Sequence, residues 1–278
     1  MSRLGSQRRL VILLATYNGE SWLDALLESL FAQTRQDWHL VVSDDASSDG
    51  TVALLNRWAY RHRGRISIGI QPRNLGYREN FRWLLKTIEA DAYFLCDQDD
   101  VWLPEKIERC CQALNRVAPG RPGIAFSDLA VVGPHLETLE PSLWAHQRTD
   151  PTKVNDLTTL MLVNVVTGCA AVLNREARDL VADLSFEPAH DHAMALHVVR
   201  AGGCLVPIHE SLVLYRQHAN NTIGAKGFSS GFLQKVANLA SPWGFRLARL
   251  GVEWGVFPSV TAFYVQKTKL WWARLIAR

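Results

Sequence analysis

The chain has 278 residues, 48% hydrophobic and 21% charged, with a formal net charge of +3. That is ordinary for a soluble globular protein, large enough for one big domain or two small ones. No stretch reaches the ~20 apolar residues of a membrane span. Five cysteines without paired spacing argue against a zinc site or a disulfide framework and for a reduced, cytosolic protein with buried thiols.

In chain order, the basic N-terminus (Arg3, Arg8, Arg9) leads into a short apolar run from Leu10. The run stops at Thr16-Tyr17-Asn18-Gly19-Glu20 without a cleavage pattern, so it reads as a first buried strand and not an export signal. Glu20 to Gln33 has helical spacing of Trp22, Leu23, Leu26, Leu27, Leu30 and Phe31. Trp38–Ser43 is a second strand ending in Asp44-Asp45, followed by the turn Ser47-Ser48-Asp49-Gly50 and a helix from Thr51 to Tyr60. Ile66–Ile70 is a third strand, Asn74-Leu75-Gly76 a turn, and Glu79 to Ile88 a helix. Ala92–Cys96 is a fourth strand, Pro104 opens a helix through Leu114, and Gly123–Phe126 is a fifth strand.

Residues 130–156, with Pro134, Pro141 and Pro151, read as a long irregular excursion over the active face. Leu157–Val166 is helical, Gly168–Leu173 a strand and His190–Ala201 a helix closed by Gly202-Gly203. Leu205–Pro207 and Leu212–Tyr215 are two short strands. Strands alternating with helices predict an α/β fold with a mainly parallel sheet flanked by helices.

The most informative stretch is Phe94-Leu95-Cys96-Asp97-Gln98-Asp99-Asp100-Val101-Trp102. Three acids in four residues repel one another unless a cation sits among them, and hard oxygen ligands suit Mg²⁺ or Mn²⁺. On extended backbone Asp97 and Asp99 point the same way. The end of a buried strand lies where open α/β sheets bind ligands. The pattern predicts a divalent-metal site facing an anionic substrate, a phosphate ester. An acidic loop at a helix N-terminus accounts for Asp100 but not for all three acids.

Four other groups carry weaker signals. Tyr17 can stack on a nucleobase, and Asn18 can cap the next helix. Thr16–Glu20 is not the Gly-x-Gly-x-x-Gly of dinucleotide folds. Asp44 or Asp45 can accept the imide N–H of uracil or thymine, although the neighbouring Ser47, Ser48 and Asp49 read equally as a cap. In Glu187-Pro188-Ala189-His190-Asp191-His192, Asp191 is a candidate general base or simply a first-turn acid. In Tyr215-Arg216-Gln217-His218-Ala219-Asn220-Asn221, Arg216 can neutralise diphosphate charge. His218 there can ligate the metal or donate to a phosphate.

From Lys226 onward there are eight Lys or Arg and a single acid, Glu253, interleaved with aromatic residues that include Trp243, Phe245, Trp254, Phe257, Phe263, Tyr264, Trp271 and Trp272. Such a tail suits an anionic membrane surface or, equally, a helical appendage packed on the main domain. No nucleic-acid motif accompanies it.

Taken together and in this order, Thr-Tyr-Asn-Gly-Glu, Ser-Asp-Asp-Ala-Ser-Ser-Asp-Gly-Thr, Asn-Leu-Gly, Asp-Gln-Asp-Asp-Val-Trp and Thr-Gly-Cys resemble the motifs of the family 2 inverting glycosyltransferases. His190-Asp191 and Tyr215-Arg216-Gln217-His218 with Asn221 look like the rhamnosyltransferase-like subgroup. The resemblance covers Leu10 to Gly224. It implies a GT-A fold over residues 1–224, with a nucleotide-binding half at about 8–128, an acceptor half at about 129–224 and a tail at 225–278. It implies a nucleotide-diphosphate sugar donor, dTDP-rhamnose being a candidate, a glycan or lipid-linked acceptor, and Mg²⁺ or Mn²⁺.

By motif, Tyr17 and Asp45 would hold the base with Asp44 nearby, Thr16 and Asn18 would also meet the donor, and Asn74 and Gly76 would line the nucleotide edge. Asp97 and Asp99 would hold ribose and metal with His218, Arg216 would meet the diphosphate, and Asp191 would be the base. Two departures stand out: His190 precedes Asp191 where many members have Glu, and Ala46 follows Asp45 where Gly is commoner. A sugar-1-phosphate nucleotidyltransferase and a non-catalytic sugar-nucleotide-binding protein are the competing readings. The expected location is cytoplasmic, with the tail a candidate for peripheral contact with the inner membrane face.

Overall fold

A computed structural model describes residues 9–184, 189–219, 221 and 241–276. Nine strands form one sheet in the order β3-β2-β1-β4-β8-β6-β9-β5, with β7 on the edge of β6. β1 (Leu10–Thr16), β2 (Trp38–Asp44), β3 (Ile66–Ile70) and β4 (Ala92–Asp97) pair in parallel. They are joined by α1 (Glu20–Phe31), α2 (Thr51–Arg61) and α3 (Tyr77–Thr87). β1 and β4 are buried along nearly their whole length, which is why they read as continuous apolar runs rather than alternating ones.

The chain turns outward from β1 in both directions, to β2 on one side and β4 on the other. That is the switch point at which a parallel sheet opens a crevice beyond its carboxyl ends. Ala15 pairs with Asp97 and Thr16 with Asp44 there, so the first two strand-end motifs and the acidic cluster are delivered to one place.

Beyond β4 the sheet is mixed. β5 (Val101–Trp102) leaves the acidic loop, and α4 (Lys106–Leu114) follows. β6 (Gly123–Val132) and β8 (Ala171–Asn174) are antiparallel to each other, and β8 is antiparallel to β4. β9 (Cys204–Arg216) is parallel to β6 and antiparallel to β5.

Several boundaries differ from the sequence reading. The fifth strand extends to Val132 rather than ending at Phe126. The two short strands after Leu205 are one, shifted in register between Ile208 and Ser211, where the exposed pair His209-Glu210 breaks the apolar pattern. The 130–156 excursion is ordered: β7 (Thr138–Glu140), α5 (Leu143–Gln147) and a 3₁₀ turn at Pro151–Lys153, with Trp144 buried. α6 (Leu157–Leu162), capped by Asp156, stops short of Val166. Gly168–Ala170 is a 3₁₀ turn before β8, and α7 (Arg175–Val181) and α8 (His190–Arg200) complete the body.

In the tail, α9 (Pro242–Glu253) and α10 (Val260–Ile276) are helical. Leu247, Ala248, Phe257 and Phe263 are buried in the same apolar cluster as Leu84, Tyr93, Phe126 and Met161, so this part of the tail is packed onto the main body. Phe245, Val265, Trp272 and Ile276 are exposed. Among the described residues, no helix is long and apolar enough to cross a membrane.

Candidate active site

The loops after β1 and β2 clasp each other. Thr16 Oγ1 donates to Asp44 Oδ1 at 2.8 Å, and Asp44 also accepts from the Ser47 N–H and hydroxyl. The Asn18 N–H donates to Ser47 Oγ, while Asn18 Oδ1 accepts the Ser48 N–H. The Gly19 N–H reaches Thr51 Oγ1, and the Gly50 N–H reaches Glu20 Oε2. Each motif thus satisfies the other's backbone donors. Asn18 and Ala46 take left-handed φ of 46° and 61° to make the fit. A third loop is held by Asp45, whose two oxygens accept the Leu75 and Gly76 N–H groups at 2.7 and 2.8 Å. The Gln98 side-chain amide brackets Tyr17, accepting its N–H and donating to its carbonyl.

These loops form one wall of a cavity of about 550 Å³, within the range of small-molecule sites. Thr16, Tyr17, Asn18, Asp45, Asn74 and Gly76 line one side; Asp97, Gln98, Asp99, Tyr215, His218 and Asn221 line another. Tyr17 is 46% exposed, an open aromatic face at the rim.

Burial, then the negative charges of Asp99 and Asp191, push the Asp97 carboxyl up to about 7. Asp100 is fully buried, and burial with its neighbours Asp99 and Asp97 raises it well above the carboxylate range. Asp99 is the acid with side-chain partners from the far segment: its Oδ2 meets His218 Nε2 at 2.9 Å and accepts from Asn221 Nδ2 at 3.0 Å.

The acidic cluster has two cations behind it. Lys106 is fully buried, donating from Nζ to the Cys169 carbonyl at 3.0 Å and lying 4.3 Å from the Trp102 ring centre. Arg216, 5% exposed, donates from Nε to the Asp99 carbonyl and from Nη1 to the Pro134 carbonyl, both at 2.8 Å.

Asp191 stands at the start of α8. Its carboxylate accepts from Asn164 Nδ2 at 3.2 Å, the Gly168 N–H at 3.3 Å and its own helix at the His192 N–H. It lies within electrostatic reach of Asp97, and the phenol of Tyr77, raised chiefly by burial, feels both carboxylates. His190, which lines the cavity, stacks on Phe81 at 5.0 Å. Burial lowers its pKa against the pull of Asp191, so it is a neutral wall.

Asp97, Asp99 and His218 line the cavity together with the loops after β1 and β2, while Asp191 is not among its lining residues and lies within electrostatic reach of Asp97. Asp44 is fully buried and ties the loops together. Arg216 donates from Nε and Nη1 to two backbone carbonyls, while its buried Nη2 has no hydrogen-bond partner among the described residues. Glu187 and Pro188 fall outside the described residues.

Among the described residues, Asp97, Asp100 and Cys169 bring metal-type ligand atoms within 4.8 Å of one another. Burial and the two aspartates raise the Cys169 thiol well above its ordinary value, which leaves it protonated and a poor ligand.

Sequence reading missed Trp22, whose helical apolar spacing matched a core residue, and Lys106, which a helix normally places in solvent. It also gave no reason for Gly168. A Cβ there would lie 2.5 Å from His190 Nε2.

The chain is similar to known proteins in sequence and in fold. The chain is 32% identical over 105 residues to the dTDP-rhamnosyl transferase RfbG of Shigella flexneri, covering 36% of each chain. It is 26% identical over 222 residues to an uncharacterized glycosyltransferase of Haemophilus influenzae, covering 76% of this chain and 66% of that one. The match to RfbG therefore spans about a third of that relative's length.

In fold, it resembles S. aureus TarS 1–349 in complex with UDP-GlcNAc, with a TM-score of 0.60 at 16% identity, covering 88% of this chain and 66% of that one. It also resembles the mannosyltransferase PcManGT from Pyrobaculum calidifontis in complex with GDP-Man and Mn²⁺, with a TM-score of 0.59 at 17% identity, covering 79% and 59%. The family model described as "Glycosyl transferase family 2" matches residues 11–180. That match takes in more than half of the chain, including the switch-point strands, the clasped loops and the acidic cluster; the protein belongs to glycosyl transferase family 2 and has the GT-A type of fold.

Proposed function

We propose that the protein is a metal-dependent, inverting glycosyltransferase. It moves a sugar from a nucleotide-diphosphate donor to a hydroxyl of a glycan or lipid-linked acceptor in bacterial surface polysaccharide synthesis. One observation carries the reading: Asp97 and Asp99 line the cavity beside Tyr17, and among the described residues no lysine or arginine does. A diphosphate entering such a wall meets like charge, which a divalent cation on the carboxylates reverses.

The donor set fits a hard cation. The raised Asp97 carboxyl and the carboxylate neighbours that raise it mark an excess of negative charge that a cation would relieve. Asp97, Asp99 and His218 would hold Mg²⁺ or Mn²⁺, and the bound ion supplies charge neutralisation for the leaving diphosphate. Tyr17 stacks on the base, and Asp45, Asn74 and Gly76 shape the nucleotide edge.

Asp191, oriented by Asn164 and Gly168, takes the proton of the acceptor hydroxyl. The hydroxyl attacks the anomeric carbon from the face opposite the diphosphate, and configuration inverts. The name of RfbG makes dTDP-rhamnose the candidate donor, and the Mn²⁺ in the PcManGT complex supports the choice of ion.

The tail supports a place at the cytoplasmic membrane face. α10 carries Lys267, Lys269 and Arg274 and no acid, and it exposes Val265, Trp272, Leu275 and Ile276. Basic and aromatic side chains together suit anionic lipid.

A panel of nucleotide-sugars, assayed with and without Mn²⁺ for released nucleoside diphosphate, tests the function. Mn²⁺-dependent release from one donor, dTDP-rhamnose first, is expected. Pyrophosphate exchange, or binding without turnover of any donor, would overturn it.

A further inference from the structure

We infer that Trp22 is a positioning residue that sets His218, and through it the Asp99 carboxylate, at the diphosphate end of the cavity. The inference rests on the metal-and-diphosphate reading of that cavity.

Trp22 sits in the first turn of α1, directly after the loop that carries Tyr17. Leu23, Leu26, Leu27 and Leu30 of that helix are fully buried in the core. Trp22 is not among them: it is half-buried and lines the cavity. Its indole meets two side chains of one distant segment. The His218 imidazole stacks on it with centroids 4.6 Å apart and planes 17° apart. The Arg216 guanidinium carbon lies 4.8 Å from the ring centre. Stacked aromatic pairs and cation–π contacts both fix orientation as well as distance.

The same three residues close a circuit through Asp99. Arg216 Nε donates to the Asp99 carbonyl at 2.8 Å, and His218 Nε2 meets Asp99 Oδ2 at 2.9 Å. Asn221 Nδ2 joins Asp99 Oδ2 to the Arg216 carbonyl, at 3.0 Å each. Every one of these polar contacts to the Asp99 side chain falls on Oδ2, which leaves Oδ1 for a ligand. Without the indole, α1 has no ring against His218, and the imidazole that orients Asp99 loses its backing. No hydrogen bond joins Trp22 to Asp99 among the described residues, so its effect passes through the stacked His218.

The test is calorimetric titration of the full chain with dTDP, and with UDP, in the presence of MnCl₂. Wild type, Trp22→Leu, Trp22→Phe, His218→Asn and the double variant Trp22→Leu/His218→Asn are compared, with thermal melts to confirm folding. Trp22→Leu should weaken Mn²⁺-dependent binding about tenfold, and Trp22→Phe, which keeps a stacking face, should come within about threefold of wild type. In the His218→Asn background, Trp22→Leu should add less than about twofold. Should Trp22→Leu not fold, Trp22→Met replaces it with a flexible side chain of similar reach and no ring.

Binding by Trp22→Leu equal to wild type overturns the inference. So does an undiminished loss in the His218→Asn background, which would mean that Trp22 acts directly or only on folding. If wild type binds neither nucleotide with Mn²⁺, the functional reading itself falls and this inference with it.

Discussion

The backbone N–H of Gly168 donates to the Asp191 carboxylate at 3.3 Å. The same glycine leaves no room for a side chain, because a Cβ would lie 2.5 Å from Nε2 of the buried His190 ring. That ring cannot swing away freely, being stacked on Phe81. Gly168→Ala should therefore destabilise the fold by about 1–3 kcal/mol through overpacking, measured by urea denaturation, and should slow transfer through a displaced Asp191. Asp191→Asn separates the two effects. It should lower transfer about 10²- to 10⁴-fold with nucleotide binding retained, and transfer near the wild-type rate would remove Asp191 as the base.

Ala46 holds φ at 61° directly after Asp44 and Asp45, the two aspartates that organise the loops beyond β1 and β2. A left-handed alanine costs about 1 kcal/mol relative to glycine, partly offset by the greater freedom glycine has when unfolded. Ala46→Gly should raise the melting temperature slightly and leave nucleotide affinity unchanged. A lower melting temperature would show that the turn makes a contact through the alanine methyl.

Phe263 and Trp272 lie on the same helix with opposite fates, the first fully buried and the second 51% exposed. Phe263→Ala should cost about 3–5 kcal/mol, because the tail shares the main apolar cluster. Trp272→Ala should change stability by no more than about 0.5 kcal/mol and weaken co-sedimentation with anionic vesicles. Unchanged sedimentation would remove the membrane role of this face.

Burial lowers the pKa of His192, which lies against the Leu160 carbonyl. Below the ordinary histidine value the unfolded chain binds a proton that the folded chain does not, so folding weakens as pH falls through about 6.5. Above it both states are neutral and the effect vanishes. His192→Gln should be less stable than wild type at pH 7.5, with the gap narrowing toward pH 5 by at most about 1.4 kcal/mol per pH unit. A gap independent of pH would contradict the neutral assignment.

Asp97 and Asp99 stood out in the sequence because three acids crowded at the end of an apolar strand repel one another until a cation joins them, and both line the cavity. The parallel half was readable for a related reason: β1 and β4 are buried on both faces and cannot alternate. The insertion of β8, antiparallel between β4 and β6, was not readable, since strand–helix alternation carries no information on direction. The single β9 was hidden by His209 and Glu210, where its register shifts.

Trp22 and Lys106 were missed because each fits a common helical role, core aromatic or surface charge. What distinguishes them is contact with segments far away in sequence, His218 and Cys169. Arg216 drew attention for its charge beside His218; that its Nε and Nη1 also hold the carbonyls of Asp99 and Pro134 is something that only packing reveals.

Titration of dTDP and UDP into wild type and Asp99→Ala, each with and without MnCl₂, tests the central claim most directly. A carboxylate-held cation that offsets the diphosphate predicts binding by wild type only when Mn²⁺ is present, and none by Asp99→Ala in either condition. Nucleotide affinity that is the same with and without Mn²⁺, and the same in the variant, would contradict it.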